Sequence, residues 1–304
     1  MKTIHFSIAA VERETGLSKD VLRMWERRYG FPTPERDGNG ERTYSSEQVD
    51  RLRKIKRLMD LGHRPGKLIA TADEELDMLT SRRSANKPSL ANAADEDLSA
   101  LLTLIKQHDA AGYQQAMQQR LARQGMQSFV QDTVAPLTRS VGEAWEDGNF
   151  EVFEEHLFTE LTKRLLRQAI ANLPGGLRAP RVLLTSVPEE PHVIGLLMAE
   201  SLFTLEGAEC IPLGTQMPLL EIGRAAKAHH ADIVALSFSS AFPPRQIPAL
   251  LQQLRMVLPP EISLWVGGGG VSRLAKMEGV LLLNSLDEAI TAITTWRDQH
   301  ALAA

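Results

Sequence analysis

The sequence predicts a multidomain chain of the α + α/β class: two helical units of different character, then a parallel sheet wrapped in helices. Three observations lead there. Apolar residues at helical spacing, interrupted by turn residues and one hairpin signal, fill residues 1–76. Helical spacing without strand signals returns over 98–174. From 175 to 304, five short apolar runs alternate with helix-like stretches, the pattern of strands buried on both faces. Residues 77–97 lose periodicity and turn Ser-, Ala-, Asn- and Pro-rich, which marks a linker.

A length of 304 residues suits two or three such domains. No apolar stretch approaches the roughly 18 residues of a membrane span, and the first residues hold no apolar core of signal-peptide length. The single cysteine, Cys210, excludes an intramolecular disulfide and any cysteine-built zinc site. These points predict a cytoplasmic protein without a membrane partner. Charge is uneven. Residues 1–70 hold 15 Lys and Arg against 10 Asp and Glu, while the remainder holds 19 against 28. A basic head on an acidic body is expected where only the head meets nucleic acid.

In the head, residues 7–15 read as a short helix with Ile8 and Val11 on one face, and Gly16-Leu17 as the turn. Ser18 is an N-cap for a second helix through Tyr29, which Gly30 closes. Pro32 and Pro34 force extended backbone. Asp37-Gly38-Asn39-Gly40 makes a hairpin tip between Arg36 and Arg42-Thr43-Tyr44. A further helix begins near Ser45 or Ser46, with Val49, Leu52, Ile55 and Leu58 at helical spacing. Over 98–174, Leu98, Leu101, Leu102 and Ile105 form one apolar face and Leu157, Leu161, Leu165 and Leu166 another, as in a four-helix bundle.

After the break at Pro174-Gly175-Gly176 come Val182-Leu183-Leu184, Cys210-Ile211-Pro212-Leu213, Ile233-Val234-Ala235-Leu236, Leu264-Trp265-Val266 and Val280-Leu281-Leu282-Leu283. Five strands in this rhythm predict a flavodoxin-like (Rossmann-like) domain, whose ligands sit at the carboxyl ends of the strands. Glu190-Pro191-His192-Val193-Ile194-Gly195 follows the first run. Ser237 and Ser239 end the third, and Gly267-Gly268 the fourth, so all three pieces converge on one rim.

Three resemblances follow from the sequence. Leu22-Arg23-Met24-Trp25-Glu26-Arg27-Arg28-Tyr29-Gly30, the Pro-bearing hairpin and Arg42-Thr43-Tyr44 resemble, over about 70 residues, the winged helix-turn-helix of MerR-type transcription regulators. The resemblance implies that residues 18–29 enter the major groove of operator DNA. Lys19, Arg23 and Arg27 or Arg28 would reach bases or phosphates, and the wing residues Arg36, Arg42 and Tyr44 would grip backbone. Leu22 and Trp25 read as core.

The acid-x-His-x-x-Gly loop, the Ser-bearing strand end and the Gly-Gly strand end, at separations of 41 and 27 residues, resemble the cobalamin-binding domains of methionine synthases and corrinoid mutases. That implies His192 as the lower axial ligand of cobalt, with Glu190 and Ser237 supporting it and Gly195, Gly267 and Gly268 leaving room for the nucleotide tail. Glu190 stands where Asp is commoner, and Ser239 where that family has Leu. Trp145, followed after nine residues by Glu155-His156, is similar to the upper-face motif of the light-dependent cobalamin repressors of the CarH and LitR group. There the Trp covers the adenosyl group of adenosylcobalamin and the Glu-His pair helps to hold it. Glu146 follows Trp145 where the best-known members carry a histidine.

The resemblances imply a three-domain regulator, not an enzyme. Adenosylcobalamin and light would control its self-association, as dimer or tetramer, and hence its grip on operator DNA. Three alternatives remain open at this point: a sensor of cobalamin supply that ignores light and takes methylcobalamin or any corrinoid, a corrinoid-carrying methyltransferase subunit, and a degenerate domain that binds no corrinoid and only dimerises.

Overall fold

In a computed structural model, residues 5–38, 40–60, 63–73, 75, 76, 79, 93–173 and 178–301 are described. Asn39 at the hairpin tip, the break at 174–176 and most of the expected linker lie outside them. The chain divides into two compact units, residues 1–90 with 142–151, and residues 91–141 with 152–304.

The first unit opens with β1 (His5–Ser7), α1 (Ile8–Thr15) and α2 (Lys19–Tyr29). Both helices start on a serine. Ser7 Oγ accepts from Ala10 N at 3.3 Å and Ser18 Oγ from Val21 N at 3.3 Å. Both end on a left-handed glycine, Gly16 and Gly30, each with φ +70°, where a Cβ would be strained. β2 (Glu35–Arg36) and β3 (Arg42–Ser45) form the expected hairpin. β1 adds to its far side, giving an antiparallel sheet ordered β1-β3-β2. The sequence carries no signal for β1; three residues become a strand by pairing His5, Phe6 and Ser7 with Ser45, Tyr44 and Thr43. α3 (Ser46–Asp60) and the short α4 (Pro65–Ile69) complete the head. Val11, Leu22, Trp25, Tyr44, Val49, Leu52, Ile55 and Leu58 form its core.

The helices α5 (Ala93–Lys106), α6 (Ala110–Ser128), α7 (Ala135–Glu146) and α8 (Val152–Ala171) follow. α5 begins inside the expected linker. α6 is interrupted at Gly125, φ +74°, and a π-helical segment, Phe129–Val134, leads into α7. In the second unit α6 and α8 are joined by a buried hydrogen bond between the Tyr113 and Thr162 hydroxyls, 2.8 Å, and by an edge-on Tyr113–Phe158 contact.

The sheet of the second unit is parallel, built from β4 (Arg178–Thr185), β5 (Ala208–Gly214), β6 (Ile233–Ser237), β7 (Ser263–Gly267) and β8 (Val280–Leu283). Its order is β5-β4-β6-β7-β8, the flavodoxin-like 2-1-3-4-5 arrangement, whose ligand crevice opens between the first and third strands. Helices α9 (Ile194–Leu205), α10 (Leu219–Ala228), α11 (Ile247–Val257) and α12 (Leu286–Ala301) cover the faces. Leu183, Val234, Leu264 and Val266 pack with Ile222, Leu251 and Leu254 on one side. Val182, Leu184, Ile233 and Trp265 pack with Phe203 and Ile293 on the other. α9 is apolar nearly all round because α8 covers one side and β5 the other.

Candidate functional site

The rim of the parallel sheet gathers most of the expected residues. β4 and β6 lie side by side, and their carboxyl ends release two loops, 186–193 and 238–246. Ser186 braces the first loop. Its buried hydroxyl donates to the Glu190 carbonyl at 2.5 Å and accepts from Gln216 N at 2.9 Å. Neither Ser186 nor Gln216 stands out in the sequence, since the Ser186 hydroxyl bonds only main-chain groups and Gln216 takes part through its own N–H, thirty positions away.

The brace turns the Glu190 side chain inward, where it is 1 % exposed. Oε1 meets His192 Nδ1 at 2.6 Å and accepts from His192 N at 3.1 Å. Oε2 accepts from Ser239 N at 2.7 Å and from Ser239 Oγ at 2.9 Å. Burial pushes the carboxyl's pKa up, but the hydrogen bonds from His192 and Ser239 outweigh it and leave the carboxyl below its ordinary range. The Glu190 hydrogen bond raises the His192 pKa against the opposing effect of burial, and the charges of Glu190 and Glu155 add to the rise. Once deprotonated, the imidazole has Nδ1–H fixed by the carboxylate, which leaves the Nε2 lone pair on a half-exposed ring. That is the state in which histidine ligates a transition metal, with a carboxylate fixing the tautomer.

The supporting serine differs from the expected one. Ser239 holds the carboxylate, whereas Ser237, the last residue of β6, lies against the first turn of α9. A Cβ on Gly195 would come within 2.4 Å of the Ser237 Oγ. The Ser237 hydroxyl would have to turn aside to admit it. Part of the glycine run meets backbone instead. A Cβ on Gly268, φ +99°, would approach Phe238 O to 2.3 Å, and one on Gly270 would approach Ser239 O to 2.5 Å. Gly267 is different, with its nearest neighbour at 3.4 Å.

From the bundle side, Glu155 sits in the first turn of α8, accepts from Thr159 Oγ1 at 2.8 Å, and acts electrostatically on His192. His156 is exposed, and its charge is felt by Glu160. Trp145 is part-buried in the last turn of α7 and belongs to the first unit. Among the described residues no three His, Cys, Asp or Glu side chains gather as a metal cluster. The donor set at the rim thus fits a metal that brings its own equatorial ligands, as a corrin does, and takes one imidazole from the protein.

In the head, α2 presents Lys19, Arg23 and Arg27 at successive four-residue steps. Lys19 lies 3.5 Å from Glu12, Arg23 lies 3.4 Å from Asp20, and Arg27 Nε donates to Arg23 O at 3.4 Å. These are long contacts on exposed side chains, which phosphates can displace. Arg28 lies over the Tyr29 ring at 5.3 Å, and Arg36 on the wing donates to Gly40 O at 2.6 Å.

The wing residues Arg42 and Tyr44 are placed otherwise than Arg36, and the Tyr44 assignment needs correction. Arg42 is turned back onto α2, with Nε 2.9 Å and Nη2 3.4 Å from the Glu26 carboxylate, a pairing that raises its pKa further. Tyr44 is 0 % exposed and belongs to the core of the head, so it cannot grip a phosphate. Strand alternation accounts for Tyr44: its neighbours Thr43 and Ser45 point away from the core.

Residues 6–73 match the family model described as MerR HTH family regulatory protein, and residues 97–170 the model described as B12 binding domain. The chain is 31 % identical over 270 residues to the HTH-type transcriptional repressor CarH of Myxococcus xanthus, covering 88 % of this chain and 89 % of that one. To the HTH-type transcriptional repressor CarA of the same organism it is 27 % identical over 270 residues, covering 88 % of each. Among solved structures, a monomethylamine corrinoid protein of Methanosarcina barkeri matches with a TM-score of 0.53 at 16 % identity, over 66 % of this chain and 99 % of that one, a likeness of fold. Among the described residues no helix is long and apolar enough to cross a membrane.

Proposed function

The chain belongs to the family of MerR-type transcriptional regulators with a B12-binding domain represented by CarH and CarA, and from that premise we propose that it is a repressor controlled by adenosylcobalamin and light. It is a DNA-binding regulator rather than an enzyme. The observation that carries the cofactor reading is the buried Glu190 carboxylate fixing His192 Nδ1 at the sheet's crevice.

In this reading His192 would hold the cobalt through Nε2. Glu190 keeps the imidazole in the ligating tautomer, and Ser239 holds Glu190. By the resemblance, Trp145, Glu155 and His156 would be the residues that hold the adenosyl group. Gly267 and Gly268 border the nucleotide tail. The cofactor supplies a cobalt–carbon bond that light breaks. A ligand whose intact form favours the assembled state shifts a population of protomers toward it, and losing the adenosyl group reverses that shift. Two linked heads grip an operator far more tightly than one, so self-association, as dimer or tetramer, becomes DNA affinity. Lys19, Arg23, Arg27, Arg28 and Arg36 make the DNA contacts, which gives strongly salt-dependent binding. The regulator works in the cytoplasm. Glu146 stands where the resembled repressors carry a histidine, so any replacement for that histidine would have to be another group, such as His156 or water.

One experiment tests this reading. The full chain is loaded with adenosylcobalamin in the dark, and its visible spectrum, gel-filtration size and retention of promoter DNA are followed before and after green light. A histidine-ligated spectrum that is lost in His192→Ala, with a smaller species and released DNA after light, is expected. Cobalamin binding with a size indifferent to light would leave a light-independent sensor, with methylcobalamin serving equally. No corrinoid binding would sink the reading altogether.

A further inference from the structure

We propose that the free edge of β8 is the seam through which two copies of this chain associate, by antiparallel strand pairing about a two-fold axis. This rests on the reading that the protein self-associates, and gives that reading a surface.

The two edges of the parallel sheet are built differently. β5, at one edge, carries Pro212, which has no N–H to offer, and the charged Glu209. Both discourage a further strand. β8, at the other edge, reads Val280-Leu281-Leu282-Leu283, with no proline and no charge. It pairs with β7 on one side, and among the described residues no strand pairs with the other. At four residues β8 is short, so backbone pairing alone would hold little. The apolar ground beside it adds to the grip. Side chains alternate across the sheet. Leu281, 44 % exposed, lines an open groove of about 710 Å³ on the α12 side, together with Trp265, Leu283 and Trp296. On the α11 side Val280 lines a second groove, of about 420 Å³, with Met277 and with Met256, which is 80 % exposed. An unguarded edge with an apolar groove on each face is a contiguous patch rather than a scatter of single exposed side chains.

Charge selects a second copy as the occupant. Antiparallel pairing about a two-fold axis lays the residues before β8 on one copy beside the residues after β8 on the other. Lys276 stands four residues before Val280, and Asp287 four residues after Leu283. Both are exposed, and Asp287 accepts from the uncharged Gln131 amide at 2.7 Å, which leaves its charge in place. Arg273 adds to the positive end and Glu288 to the negative end, while Glu278 counts against the first. Parallel pairing would instead set Lys276 on Lys276 and Asp287 on Asp287. The antiparallel dimer is the arrangement in which the two ends match.

The test is sedimentation of the full chain, loaded with adenosylcobalamin in the dark, over a range of concentrations. Leu281→Lys is expected to weaken self-association at least about thirtyfold, with an unchanged circular dichroism spectrum. Lys276→Asp and Asp287→Lys are each expected to associate about tenfold more weakly than wild type. An equimolar mixture of those two variants is expected to recover wild-type association, because every pair across the seam is again opposite in sign. Mixing would not rescue a fold defect. Association unchanged in Leu281→Lys, or a mixture no stronger than its components, would overturn the proposal and leave self-association standing through another surface. A wild type that stays monomeric at every concentration would overturn both. An edge-dependent dimer that is indifferent to light would uphold the proposal and count against control by light, so the failures are told apart.

Discussion

Alanine at Gly268 and alanine at Gly267 are neighbouring substitutions with opposite expected outcomes. Gly268 has φ +99° and ψ 171°, a region essentially confined to glycine, where another residue costs about 1–3 kcal/mol. Its new Cβ would meet Phe238 O at 2.3 Å, roughly 1 Å inside the ordinary C···O contact. Relief means moving Phe238 O away from Gly270 N, which loses a hydrogen bond of 3.0 Å to a buried residue, worth about 1–3 kcal/mol when a buried group is left unpaired. Gly268→Ala is thus expected to lose about 2–5 kcal/mol, lowering the urea midpoint of the apo chain, followed by circular dichroism, by about 1–2 M. At Gly267 the nearest atoms are 3.4 Å and 3.8 Å away, so Gly267→Ala is expected to cost under about 1 kcal/mol in the same assay. If Gly267 borders the nucleotide tail, that variant binds cobalamin more weakly while its midpoint holds. Equal midpoints for the two variants, or a wild-type midpoint for Gly268→Ala, would refute the reasoning.

Tyr44 buries a hydroxyl with no hydrogen-bond partner among the described residues; Tyr44→Phe is expected to leave the head as stable or to gain up to about 1 kcal/mol, and a loss larger than that in thermal melts would contradict it. Burial pushes the Cys210 thiol up to about 12, so alkylation of the native chain at pH 8 is expected to run about a thousandfold slower than in denaturant, and comparable rates would be evidence against it. Glu190 has its folded pKa below the ordinary 4.5 and contributes stability that is complete above 4.5 and lost as pH falls through the lowered value. His192 has its folded pKa above the ordinary 6.5 and contributes stability that is complete below 6.5 and lost as pH rises through the raised value. The melting-temperature gap between apo wild type and Glu190→Gln is therefore expected to be widest between about pH 4.5 and 6.5; a gap independent of pH would count against the pair.

Local and periodic features were legible in the sequence. Ser18 and Gly30 bound their helix by chemistry confined to a few residues. The five apolar runs became the five parallel strands because strands buried on both faces leave unbroken apolar stretches. The convergence of Glu190, His192, Ser239 and the glycines on one rim followed from strand ends alone. What the residues hid was set by tertiary contact. Ser239, two positions past the strand end, supplies both hydrogen bonds on Glu190 Oε2. Arg42 is claimed by a carboxylate sixteen positions earlier, and Tyr44 is turned inward by strand parity. No period in the sequence announces the interruption at Gly125 or the π-helical segment after it.

The Glu26–Arg42 clasp ties the wing to α2 through two nitrogen–oxygen contacts, both part-buried. In the proposed reading, where α2 enters the groove and the wing takes the backbone, that clasp would fix the reach between the two like a ruler. New targets would be acquired by changing the letters exposed on α2, such as Arg23, Met24 and Arg27, while the measured distance between the two grips stays the same.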